Sequence, residues 1–148
     1  MSLRARITED MKAAMRARET ARLSTIRLLL AAIKQKEVDE RIEVSDVDVV
    51  GIIDKMIKQR RESIAQFDAG GRPELAAAER AEIEILRSYL PPPLSPAEIE
   101  ALIAEAIAAT GVSGPAAMGK VMAALKPRLA GRADMAVVAD RVKTRLAG

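Results

Sequence analysis

Cysteine and histidine are both missing from this 148-residue chain. Without them the sequence excludes zinc centres built from thiolate and imidazole ligands, disulfides, and Cys–His or Ser–His–Asp nucleophilic schemes. Tryptophan is absent too, and Phe67 and Tyr89 are the only aromatics. The apolar content is nonetheless 49 %, supplied by alanine, leucine, isoleucine, valine and methionine. Small and aliphatic side chains pack helix against helix, whereas sheets favour aromatic and β-branched surface. The composition predicts an all-α protein.

Long hydrophobic runs are also missing. The longest, "LLLAAI" at 28–33, is far too short to cross a bilayer. The opening "MSLRARITEDMKAAMRARETARL" has neither the apolar core nor the cleavage pattern of a secretory signal. It is arginine-rich and amphipathic, as transit peptides are, but Glu9, Asp10 and Glu19 argue against that reading. The expected location is the cytoplasm, with no membrane partner.

What is present is charge in blocks. Residues 1–36 carry nine basic and three acidic side chains, residues 37–117 eight and sixteen, and residues 118–148 seven and two. The net charge of +3 therefore hides two basic ends, an arrangement suited to polyanions or simply to the outer faces of amphipathic helices.

Seven helices can be read. Leu3, Ile7, Met11 and Met15 mark one face of the first. A second starts near Thr20, with Leu23, Ile26, Leu30 and Ile33 inside and Arg22, Arg27, Lys34 and Lys36 outside, and "EVDERIEVS" ends it. Ser45 and Asp48 form a capping-box-like start for a third, through Val49, Ile53, Met56, Ile57, Ile64 and Phe67. Gly70 and Gly71 suit its left-handed end, and Pro73 opens a fourth carrying Leu75, Ala78, Ile83, Leu86 and Tyr89. After "LPPPLSP", Ser95 caps a fifth with Pro96 at its first position and Glu98 reaching back. Its inner face is Ile99, Leu102, Ile103, Ala106 and Ile107. "TGVSGP" breaks it, Pro115 opens a sixth lined by Met118, Val121, Met122 and Leu125, and Asp134 caps a seventh lined by Val137, Val138, Val142 and Leu146. Three successive prolines form a stiff connector. The expected organisation is a four-helix domain over 1–90, a Pro-rich linker at 91–94 and a three-helix domain over 95–148.

Catalysis would fall to carboxylates, lysines or hydroxyls. Glu79 and Glu82 share a helix face and could bind a cation or share a proton. A helical di-metal site would add Glu-x-x-His motifs, and the histidines are missing. "GGRPE" and "GKVM" both fall short of a phosphate-binding P-loop. No catalytic residue, metal ligand or cofactor is assigned, and the residues read as those of a non-enzyme.

The stretch "MGKVMAALKPRLAGRAD" at 118–134 carries the remaining signal. Gly119, read as one turn inside a helix, costs roughly 1 kcal/mol relative to alanine, which suggests close approach by another helix or by a ligand backbone. Lys120, Lys126, Arg128, Arg132 and Lys143 group around a helix-turn-helix corner that turns at Gly131. With no aromatics to stack on bases, any nucleic acid would be met by backbone and shape.

"MGKVMAALKPRLAGRADMAVVADRVKTRL" resembles the C-terminal signature of the YqeY family, which is related to the tail domain of GatB, the B subunit of bacterial tRNA-dependent amidotransferases. "LSTIRLLLAAIKQKEVDER", "KMIKQRRESIAQFDAGGRPELAAAERAEIEIL" and "YLPPPLSPAEIE" also resemble the family, so the likeness runs through nearly the whole chain. It implies a helical N-terminal domain, a three-helix C-terminal domain and a bacterial protein. It further implies tRNA as the partner, with amidotransferase subunits as further candidates, because the tail domain grips the outer part of a misacylated tRNA. The likeness falls on Gly119, Lys120, Val121 and Met122, then on Gly131, Arg132 and Ala133. One departure is Met135 in "GRADM", where a turn-forming residue is expected. Nothing resembles the amidotransferase's ATP-using cradle domain. A family label of carbon–nitrogen ligase with glutamine as amide donor therefore reads as inherited through the tail domain.

The expectation is a tRNA-binding or amidotransferase-accessory protein. Its candidate tRNA-binding residues are Gly119, Lys120, Lys126, Arg128, Gly131, Arg132 and Lys143, the five basic side chains contacting phosphates and Gly119 permitting close approach, with Arg22, Arg27, Lys34 and Lys36 as a secondary basic face. The competing expectation is a docking module without RNA that uses Met118, Met122 and Met135 as an adaptable apolar surface. A dimer through the long third helix is a further option.

Overall fold

The computed structural model describes residues 1–111 and 114–147, and every regular element among them is helical. The chain divides into two compact units, Met1–Leu90 and Pro91–Gly148.

The first unit holds α1 (Leu3–Arg16), α2 (Thr20–Glu40), α3 (Asp46–Ala69) and α4 (Pro73–Arg87). Ile7 and Ala14 of α1, Ile26, Leu29 and Ile33 of α2, Val49, Ile53, Met56 and Ile57 of α3, and Ile83 and Leu86 of α4 make one core, which Tyr89 closes. Met15 is 46 % exposed and Ala14 takes its expected place. Steps of four residues drift about 40° each around a helix, so a run of three such steps leaves the buried stripe, whereas Ile7 and Ala14, seven apart, stay on it. Leu75 and Ala78 likewise face outward, and Ala76 is buried instead.

α2 continues four residues into the polar string expected to end it and stops at Arg41, a left-handed C-cap with φ 54°. Arg4 explains the extension. Its guanidinium hydrogen-bonds Glu37 at 2.7 Å, tying the last turn of α2 to α1, and that bond holds the Glu37 carboxyl below its ordinary range. The Ser45 box forms in full: the Ser45 amide donates to Asp48 Oδ2 at 2.9 Å and the Asp48 amide to Ser45 Oγ at 3.2 Å. At the α3–α4 turn only Gly71 is left-handed (φ 71°), while Gly70 has φ −87°.

The second unit holds α5 (Pro96–Thr110), α6 (Met118–Leu129) and α7 (Met135–Ala147). Ile103 and Ala106, Ala117, Val121, Leu125 and Leu129, and Val138 and Val142 form its core. Ser95 and Glu98 exchange hydrogen bonds of 3.2 and 3.1 Å as a second capping box. Of the break at "TGVSGP", Val112 and Ser113 lie outside the described residues. Pro115 opens a single 3-10 turn, Pro115–Ala117, and the α-helix begins at Met118. Val137, expected inside α7, is exposed.

Candidate nucleic-acid interface

The α6–α7 corner is built from short-range bonds. Pro127 sits in the last turn of α6, and the Ala130 amide closes that turn on the Lys126 carbonyl at 3.0 Å. Gly131 (φ 74°) reverses the chain. Asp134 then caps α7, its Oδ1 accepting from the Ala136 amide at 3.0 Å, so the positive end of that helix is already occupied by a carboxylate. The tri-proline segment packs onto the same corner. The Leu94 amide donates to the Arg132 carbonyl at 2.9 Å, and Arg132 Nε donates to the Pro92 carbonyl at 3.0 Å.

The basic residues of the expected site separate into two groups. Arg128 pairs with Glu105 of α5 at 3.1 Å, and with Arg132 it lines a shallow groove of about 350 Å³ floored by Leu94, Ala101 and Leu102 and edged by Glu98. The Glu98 carboxyl is held below its ordinary range by the Ser95 amide first and the Ser95 hydroxyl second, with Arg132 adding to the effect. Arg141 and Arg145, not among the expected site residues, both engage Glu100 of α5, at 2.7 and 3.6 Å. Their spacing of four on α7 was the available signal, since it puts both on one edge.

Lys120, Lys126 and Lys143 are different. All three are exposed, and none forms an ion pair or hydrogen bond with any described residue. On α6, Lys120 and Lys126 border an outward face made of Gly119, Ala123 and Pro127. Gly119 is the second residue of the helix rather than one turn inside it. A Cβ built there would meet nothing within 4 Å, so close packing by the described residues of its own unit does not account for the glycine.

Two other groupings resolve as structural. Arg60 occupies the space between the Glu79 and Glu82 carboxylates that a cation would need, 2.7 Å from Glu82 and 3.9 Å from Glu79, and joins α3 to α4. Met118, Met122 and Met135 pack against the C-terminal core rather than forming an open surface. On α2, Arg22 and Lys36 meet Glu19 and Glu40. Arg27 and Lys34 lie on the opposite edge of the helix, so the four do not form one track.

A family model described as Yqey-like protein matches residues 4–146. Among curated proteins, the chain is 38 % identical over 116 residues to the Lachancea thermotolerans protein named altered inheritance of mitochondria protein 41, mitochondrial. That match covers 75 % of this chain and 61 % of the relative. Proteins of the same name from Eremothecium gossypii (39 % over 87 residues; 58 % of this chain, 48 % of the relative) and Kluyveromyces lactis (40 % over 86 residues; 57 % and 46 %) are also similar. The chain thus spans between about half and three-fifths of these relatives' length. The expectation of a bacterial, cytoplasmic protein is corrected by them: the relatives are yeast proteins named as mitochondrial. Acidic residues near the start were poor evidence about compartment, because Glu9 and Asp10 lie on α1, a helix whose Ile7 and Ala14 belong to the core, and Glu19 stands at the N-cap of α2. By the match over residues 4–146, the chain belongs to the Yqey-like protein family.

Proposed function

We propose that this protein binds structured RNA of the tRNA kind through Lys120, Lys126 and Lys143, with Arg128 and Arg132 at the margin and Gly119 leaving the outer face of α6 open to a close backbone. One observation carries the reading. In a unit whose four arginines are all engaged by α5 or by the proline segment, these three lysines have no partner among the described residues. Exposed, unneutralised cations beside small side chains suit phosphates, and they read charge and shape rather than base identity.

In this reading the chain supplies binding, and any amide transfer is the work of a partner enzyme such as an amidotransferase. Its two compact units act as domains joined at 91–94. Fluorescence anisotropy with tRNA across a salt series tests it, comparing the wild type with Lys120→Ala/Lys126→Ala/Lys143→Ala. Three neutralised phosphates give a slope of log K against log salt of about −2 to −3, and the triple variant should lose most of it. Equal affinity and equal slope in the two proteins would sink the proposal.

A further inference from the structure

α2 has a second apolar face. Its buried residues, Ile26, Leu29 and Ile33, lie on one side. On the other, Leu28 is 51 % exposed and Val38 59 % exposed, with Ala31 and Gln35 between them, also exposed. The order 28, 31, 35, 38 alternates steps of three and four, the spacing of a coiled-coil seam. Ile42, 39 % exposed, follows just beyond the Arg41 cap. A helix that already packs on α1, α3 and α4 gains nothing within its own unit from exposed Leu28 and Val38, and covering their remaining apolar area favours association.

The edges of this face identify its occupant. Arg27 and Lys34, seven residues apart, run along one edge, exposed and without an ion pair among the described residues; Arg41 continues the interval at the cap. On the other edge stand Ala32 and Asp39, and Asp39 already accepts from Gln35 at 2.8 Å. A second copy fits poorly. An antiparallel pair would set the basic edge against itself, and a parallel pair would match only Lys34 with Asp39, leaving Arg27 opposite Ala32. The complementary surface is an apolar helix stripe with carboxylates at sevenfold spacing.

We propose that the outer face of α2 is a docking seam for an amphipathic helix of another protein, one that carries acidic residues along the edge meeting Arg27 and Lys34. This seam lies in the first unit and is independent of the RNA reading, which rests on lysines of the second.

The test uses the full chain and a fluorescein-labelled synthetic helix of three heptads, with leucine at the seam and glutamate on both edges. Its twin carries lysine in place of glutamate. The glutamate peptide should bind at least about tenfold more tightly than its twin. Leu28→Ser/Val38→Ser, which changes only exposed positions and is checked for native helicity, should weaken that binding by about tenfold or more. Arg27→Glu/Lys34→Glu should invert the preference between the two peptides. Equal binding of both peptides, or undiminished binding by the serine variant, overturns the proposal. So does binding to phosphatidylglycerol-containing vesicles, lost in the serine variant, when neither peptide binds; the face would then be a membrane surface. A dimer in sedimentation equilibrium that the serine variant abolishes would assign the face to a second copy. Displacement of the glutamate peptide by excess tRNA would give the edge to nucleic acid.

Discussion

Arg132 donates from Nε to the carbonyl oxygen of Pro92, forty residues earlier, at 3.0 Å. A residue expected to hold phosphate therefore also holds the proline segment against the α6–α7 corner. Arg132→Lys separates the two roles, because lysine keeps the charge but not the fork geometry. It should cost about 1 kcal/mol in a thermal or denaturant melt, in line with one partly exposed hydrogen bond, while changing tRNA affinity less than about threefold. A loss of affinity as large as that of Lys126→Ala would instead make the guanidinium a principal phosphate ligand.

Gly119 gives a sharper separation of stability from binding. Nothing within 4 Å opposes a Cβ there, so Gly119→Ala should stabilise the protein by about 0.5–1 kcal/mol. If RNA backbone closes on this face, the same methyl group should weaken tRNA binding. Thermal melts and anisotropy on one variant provide both readings, and a stabilised protein with unchanged affinity would move the RNA away from the α6 outer face.

Tyr89 is buried and donates to Asp10 at 2.6 Å, with the Arg6 guanidinium 5.0 Å from the ring centre. Burial first, and then the Asp10 carboxylate, push its phenol well above the ordinary range. The folded state keeps its proton more tightly than the unfolded state, so this contribution is complete below the unfolded pKa of about 10 and is lost as pH rises beyond it. It is the only tyrosine and there is no tryptophan, which makes ultraviolet titration direct. Phenolate absorbance should appear together with loss of helical circular dichroism, not before it. Tyr89→Phe should cost about 1–2 kcal/mol by leaving the Asp10 interaction unmade.

The two capping boxes set an acid limb. Asp48 and Glu98 both have carboxyls depressed by amide and hydroxyl bonds from Ser45 and Ser95. Their contribution is full above the unfolded carboxylate range near pH 4 and is lost as pH falls through the folded values. Glu98→Gln can still accept from the Ser95 amide but cannot titrate. Melts of this variant should therefore fall less steeply below pH 4 than those of the wild type. Ser95→Ala should cost about 1 kcal/mol at neutral pH, and a cost confined to acid pH would contradict this account of the cap.

Sequence alone was enough for several helix starts whose deciding partners are within four residues, though not for all: the Ser2 cap of α1, bonded by the Ala5 amide at 3.1 Å, went unread, and Gly70 proved not to be left-handed. The Ser45 and Ser95 caps, the Asp134 cap and the prolines at the starts of α4 and α5 were legible, because each involves a backbone amide or a fixed φ next door in the chain. The helical class followed from composition, since aliphatic and small side chains have few other ways to bury themselves. Only the tertiary structure decided which stripe of each helix is buried. Ala14 displaced Met15, and Ala76 displaced Leu75, because the neighbouring helix selects the face and a repeat of four does not hold over several turns. It also decided which cations are free. Lys126 and Arg128 are two residues apart and looked alike in the sequence, yet one has no partner among the described residues and the other meets Glu105 across a helix–helix contact. Such pairing depends on acids more than twenty residues away, as at Glu105 and Glu100, and no local pattern carries that information.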